Sequence, residues 1–185
     1  MLVDSHAHLD DERFDKDRDK LIKSLKEEGV DLIINVGSDL QSSIKSVSLS
    51  EEYENIYAAV GVHPHSAKEM DGSTINVLKS FTGRDKVVAI GEIGLDYYYD
   101  NSPRDVQRER FKEQLDLAKE IDLPVIIHTR EAAQETFDIL KEAQDGNLEG
   151  VLHCYSGSVE MALEYIKLGF YISLAGPVTF NNARV

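Results

Sequence analysis

The sequence predicts an α/β protein of the (β/α)8 TIM-type barrel class, truncated after its seventh strand. Three observations carry that expectation. Apolar, strand-like runs alternate with amphipathic segments at the spacing of βα units joined by short connections. Histidines and a glutamate recur at the C-terminal ends of several different runs, where barrel enzymes place their chemistry. The Gly-rich phosphate loop of an open, doubly wound sheet is missing.

The elements follow in order. Residues 2–9 read as the first strand, and a charged amphipathic helix near 14–28, with Leu21, Ile22 and Leu25 on one face, ends at Gly29. Strand two (32–36) precedes a helix at 41–52, and strand three (56–63) a weaker helix at 74–81. Strand four covers 87–91 and a loop follows at 97–100. The best helix comes next, with Ser102 as cap, Pro103 in the first turn and Asp105 at the positive end. Phe111, Leu115 and Ala118 mark its buried stripe. Strand five is 124–128, and Ala133, Phe137 and Leu140 face the next helix inward. Strand six is 150–155, a helix at 161–168 closes at Gly169, and strand seven is 170–175.

Residues 1–185 read as one domain without repeats or linkers. A closed barrel needs an eighth strand and its helices, so the chain is expected to be a fragment or to be completed by another chain. Exposed sheet edges then favour association, whereas a full-length barrel is expected to be a monomer. With 42% apolar and 29% charged residues, the composition is that of a soluble globular protein. No apolar run is long enough for a bilayer, no signal peptide is visible, and the single Cys154 forms no internal disulfide; the expectation is a cytoplasmic protein. The net charge of −14 argues against a non-specific nucleic-acid coat protein, but not against an enzyme made locally positive by bound metal.

The chemistry-bearing residues come in groups. His6 and His8, two apart on a strand, share a face and can grip one ion; otherwise they are polar residues near a terminus. Glu92 lies in an apolar run between Gly91 and Gly94, where an ionised carboxylate is costly without cationic compensation. It is expected either to bridge divalent ions or to pair with a buried Arg or Lys. His128 and His153, at strand ends, are further ligands or packed histidines, and neighbouring Cys154 reads as a small buried residue facing the other way. His63 and His65 follow strand three as ligands or, preferably, as groups facing a substrate phosphate. Arg130 suits an anionic oxygen or an ion pair with Glu131, and Tyr97, Tyr98 and Tyr99 suit a stacked base or simple loop packing.

Taken together, DSHAHLD, GVHPH, GEIGLDYY, LPVIIHTR, LHCYSG and GFYISLAGPVTF resemble the TatD family of metal-dependent deoxyribonucleases, in the amidohydrolase-like superfamily. The resemblance implies a barrel with two divalent ions, of Zn2+, Mg2+ or Mn2+. His6 and His8 would hold one, His128 and His153 the other, and Glu92 would bridge them. His63, His65 and Arg130 would line the substrate-phosphate site. It implies two-metal activation of water against phosphodiester bonds of DNA, exonucleolytic and favouring single strands, with roles in DNA repair. The family's further aspartate, in a T-D-x-P type motif, lies beyond the last residue given, so an inactive metal-binding fragment is one alternative. D-aminoacyl-tRNA deacylation or another amidohydrolase-like activity is the other.

Overall fold

The structure is a computed structural model and describes residues 2–181 and Ala183. Seven parallel strands, β1 (Leu2–Ala7), β2 (Val30–Val36), β3 (Ile56–Val60), β4 (Val87–Asp96), β5 (Val125–Arg130), β6 (Gly150–Leu152) and β7 (Phe170–Ile172), pair in sequence order. The helices α1 (Arg18–Ser24), α2 (Leu40–Glu52), α3 (Thr74–Phe81), α4 (Arg104–Glu120), α5 (Ala133–Ala143) and α6 (Val159–Lys167) connect them. Strands β1 and β6 are five spacings apart, about 24 Å in a flat sheet. Yet the ring of His6, on β1, stacks on that of His153, just past β6, with centroids 3.5 Å apart. The sheet therefore curls as a barrel wall does.

The core has two layers. Val36, Ala59, Ala89 and Ile126, one from each of β2 to β5, meet inside the curl. Outside it, Val60, Ile90, Ile93 and Leu95 pack with Phe111, Leu115 and Leu140 from α4 and α5. Alternation along the strands, interrupted in β4 by an irregularity between Ile90 and Ile93, feeds both layers, which is why the runs read as continuously apolar. Among the described residues no helix is long and apolar enough to cross a membrane.

Several boundaries differ from expectation. Strand β4 runs through Glu92 to Asp96, because its glycines are sites of close approach rather than strand ends. A Cβ on Gly91 would sit 2.6 Å from Cβ of Ile126, and at Gly94 (φ +143°) it would meet the carbonyl oxygen of His128. The first helix is shorter, starting at Arg18 after a 3-10 turn at Glu12–Phe14. Arg18 holds that corner by donating to the carbonyls of Leu9 and Asp11 and to Asp15. Ser102 does not cap α4. It is buried one residue before the Pro103 N-cap, donating to the carbonyl of His65 and accepting from the amide of Lys68. On α5 the inward residues are Thr136, Ile139 and Leu140, with Phe137 half-buried and Ala133 exposed. Strand β6 stops at Leu152, so Cys154 is not a strand residue; it is half-buried at φ +48°.

Candidate metal centre

The C-terminal ends of the strands converge on Glu92, which is 5% exposed. Its side chain lies on the inner face of β4, and its amide donates to the carbonyl of Gly37 after β2. One carboxylate oxygen is 3.1 Å from Nδ1 of His128. The other is 3.5 Å from Nε2 of His6 and 4.0 Å from Nε2 of His63. Two groups each bring one ligand atom per residue to within 4.8 Å of one another: His6, Glu92 and His153, and His63, Glu92 and His128. Glu92 belongs to both.

The local chain geometry sets the imidazole states. Nδ1 of His8 is 2.9 Å from the carbonyl oxygen of Val36, which only accepts, so Nδ1 carries the proton and Nε2 a lone pair. That lone pair is 3.2 Å from Nε2 of His6. With metal–nitrogen bonds of about 2.0–2.1 Å, two ligands on one tetrahedral ion stand about 3.3 Å apart. Nδ1 of His6 is buried without a hydrogen-bond partner. Burial pushes His63 down to about 3 and His153 down to about 4, the Glu92 charge opposing it in both. Both imidazoles are therefore neutral donors at neutral pH. Burial alone would raise the Glu92 pKa, but hydrogen bonds from His128 and His6 outweigh it and hold the carboxyl well below its usual range. Imidazoles gathered around one ionised carboxylate are the donor set of a divalent transition-metal site, and these residues fit one.

A second carboxylate completes the cluster. Asp96 is fully buried, and its Oδ2 is 2.9 Å from Nε2 of His65 and 3.1 Å from Nε2 of His128. His128 thus lies between two carboxylates. Burial opposes its charge, but Glu92 and Asp96 overcome that and raise its pKa above the ordinary imidazole value. The Asp96 carboxyl is itself held low: burial pushes it up, and the amide of Tyr99 with His65 and His128 pulls it down further.

Helix α4 fastens both halves of this arrangement. Oε1 of Gln107 accepts from the Asp96 amide (2.9 Å) while its Nε2 donates to the Asp96 carbonyl (3.1 Å). Seven residues on, Gln114 clamps Val62 in the same way, at 2.7 and 3.1 Å, and so sets the turn that carries His63. On the β1 side, buried Asn35 accepts from the amide of Leu9 and donates to Asp10 (2.9 Å) and Ser46 (2.7 Å), fixing the chain just after His8.

Catalytic-type residues at the C-terminal ends of barrel strands, gathered around a shared carboxylate, narrow the comparison to metal-dependent hydrolases, and residues 3–185 match the model of the TatD related DNase family. The chain belongs to the TatD family. A metal-dependent hydrolase of Bacillus subtilis, YabD, is 46% identical over 184 residues, covering 100% of this chain and 72% of its own. The 3'-5' ssDNA/RNA exonuclease TatD of Cronobacter sakazakii is 34% identical over 175 residues, covering 95% and 66% respectively. The crystal structure of YJJV, a TatD homologue from Escherichia coli K12, superimposes with a TM-score of 0.91 at 33% identity, over 98% of this chain and 71% of that one. The chain is accordingly a metal-dependent hydrolase of the TatD family with its TIM-barrel-type fold.

Of the residues named by the TatD resemblance, His6, His63, His128 and His153 lie around Glu92, and His8 reaches His6. His153 stacks on His6, and His63 lies 4.3 Å from His128, ring to ring. His65 bonds Asp96 rather than Glu92, and Arg130 sits outside the cluster over the rings of Tyr98 and Tyr99. Asp96, Gln107, Gln114 and Asn35 were not singled out in the sequence. Asp96 was findable, since residues 92, 94 and 96 share one strand face once β4 is taken past Gly91. The glutamines also carried a signal: two amides seven apart on the stripe of Phe111 and Leu115 face the core and need partners there.

Proposed function

We propose that this chain carries a two-ion phosphodiesterase centre that hydrolyses DNA from an end, single strands preferred. The observation that carries the reading is the Glu92 carboxylate, nearly inaccessible to solvent and shared by two groups of imidazole ligands. Glu92 would be the shared ligand, with His6, His8 and His153 serving one side of it and His63 and His128 the other. The chemistry such a donor set would supply, with Zn2+, Mg2+ or Mn2+ bound, is positive charge for the phosphoryl oxygens and a more acidic water.

The chain's own groups do the rest. Asp96 orients His65 and His128 through a single oxygen, Oδ2. His65, a third exposed at its side chain, faces the mouth where a non-bridging phosphate oxygen would arrive. Arg130 has no ion-pair partner among the described residues, so its guanidinium is free for an anion. The choice of DNA rests on the family description and on the printed activity of the Cronobacter relative.

The test is metal content by mass spectrometry, with cleavage of end-labelled single-stranded and duplex DNA, for wild type and Glu92→Ala. The variant is expected to lose most of its bound metal and its cleavage together. Unchanged stoichiometry would reduce Glu92 to a buried hydrogen-bond acceptor for histidines.

A further inference from the structure

Three consecutive tyrosines follow Asp96, and they part company. Tyr97 turns inward, its hydroxyl donating to Glu135 and its ring covered by Arg104 at 4.4 Å. Tyr98 and Tyr99 turn outward and are 59% and 53% exposed. Their rings stand perpendicular, centroids 4.9 Å apart. The Arg130 guanidinium fills the corner between them, 4.1 Å from one ring and 4.8 Å from the other.

This corner is fastened to the metal centre. Oδ1 of Asp96 accepts from the amides of Tyr98 (3.0 Å) and Tyr99 (2.9 Å), while Oδ2 of the same carboxylate faces His65 and His128. The Tyr99 ring also meets the His65 ring edge-on at 5.3 Å. Two large aromatic surfaces are thus left in water with their backbone amides tied to Asp96, one imidazole away from the proposed phosphate position. A guanidinium stacks through its faces and donates hydrogen bonds from its edge. Arg130 can therefore lie on the rings and still offer N–H groups to a phosphate. Among the described residues it has no carboxylate partner, in a chain with 34 acidic residues.

We infer that Tyr98, Tyr99 and Arg130 form a stacking platform for an unpaired nucleobase next to the phosphodiester held at the Glu92 centre. The inference rests on the phosphodiesterase reading above and adds the recognition element to it. Planar aromatic and guanidinium faces take any base without reading its hydrogen-bond edge. A base inside a duplex has both faces covered by its neighbours and reaches such a platform only by leaving the stack. The single-strand preference then arises at this corner and not at the metal ligands.

The experiment uses two fluorescently labelled single strands of equal length, one carrying bases with a 2-aminopurine, the other built wholly of base-free spacers. Binding is measured in EDTA, and cleavage with Mn2+, for wild type, Tyr98→Ala, Tyr99→Ala and Tyr98→Phe. Wild type is expected to bind the base-bearing strand about 5- to 100-fold more tightly than the spacer strand and to quench 2-aminopurine. That ratio should collapse toward one in Tyr98→Ala and Tyr99→Ala and return in Tyr98→Phe. Because both side chains are exposed, thermal melts of the variants should match wild type. If wild type cuts the spacer strand but gains nothing from bases, or if both alanine variants keep the ratio, the platform is wrong and the phosphodiesterase reading stands. If neither strand is bound or cut, the phosphodiesterase reading falls and the platform with it.

Discussion

Replacing Gln114 by alanine tests how the His63 turn is held. The amide is 1% exposed and satisfies both the N–H and the carbonyl of Val62, itself almost wholly buried. Its removal leaves two buried backbone groups unpaired, at about 1–3 kcal/mol each, so a loss near 4 kcal/mol is expected. Against a total of about 5–15 kcal/mol the variant still folds. For a chain of this size such a loss corresponds to a drop in melting temperature of roughly 8–16 °C. Since Val62 precedes His63, metal affinity should also fall, by about tenfold or more. Calorimetric melts and metal titration of Gln114→Ala and Gln114→Met read both effects. Methionine restores the apolar volume but not the bonds, so it should be nearly as unstable as alanine. A methionine variant that melts like wild type would refute the reasoning, because packing and not the amide would then hold the turn.

Two further outcomes are expected. Asn35→Ala leaves the amide of Leu9 and the carboxylate of Asp10 without their buried partner, and should cost about 2–4 kcal/mol in urea unfolding while weakening metal uptake at His8; stability within 0.5 kcal/mol of wild type, roughly a surface substitution's effect, would sink this account. In metal-free protein, His63 and His153 have depressed pKa values, about 3 and about 4, so as pH falls below 6.5 the unfolded chain takes up protons that the native state refuses. Their stabilisation is present above pH 6.5 and is lost on acidification toward those values. His128 acts oppositely: its raised pKa contributes below pH 6.5 and is lost as pH rises through the native value. Urea unfolding in EDTA should therefore show stability falling between pH 6.5 and 4, and a flat profile there would mean that the two imidazoles are protonated in the native state.

The order of strands and helices was legible because buried β-branched runs and amphipathic stripes carry their own periods. The length of β4 was not. Gly91 and Gly94 look like strand terminators locally, whereas here the proximity of Ile126 and the His128 backbone requires them, a condition set by β5. The centre divides along the same line. Each histidine could be recognised from its place at the end of a run, and Glu92 from its misfit among apolar neighbours. Which histidines become neighbours was not legible, since His6 and His153 meet only through the curvature of the whole sheet. The clamps of Gln107 and Gln114 were hidden for a related reason: Gln114 reaches a backbone group 52 residues away, and only the docking of α4 creates that contact.

Helix α4 also behaves as a gauge block. Its two amides, seven positions apart, measure off about 10.5 Å, nearly two full turns, and they grip the ends of two different strands. The spacing between the Val62 and Asp96 segments is thereby tied to the pitch of one helix, independently of the loops at either end of it. Insertions in those loops should be absorbed without moving the histidines. A single residue added between positions 107 and 114 would swing one amide about 100° away from its strand and uncouple one half of the centre from the other. This stretch of the chain is thus one whose length, more than its composition, is under constraint.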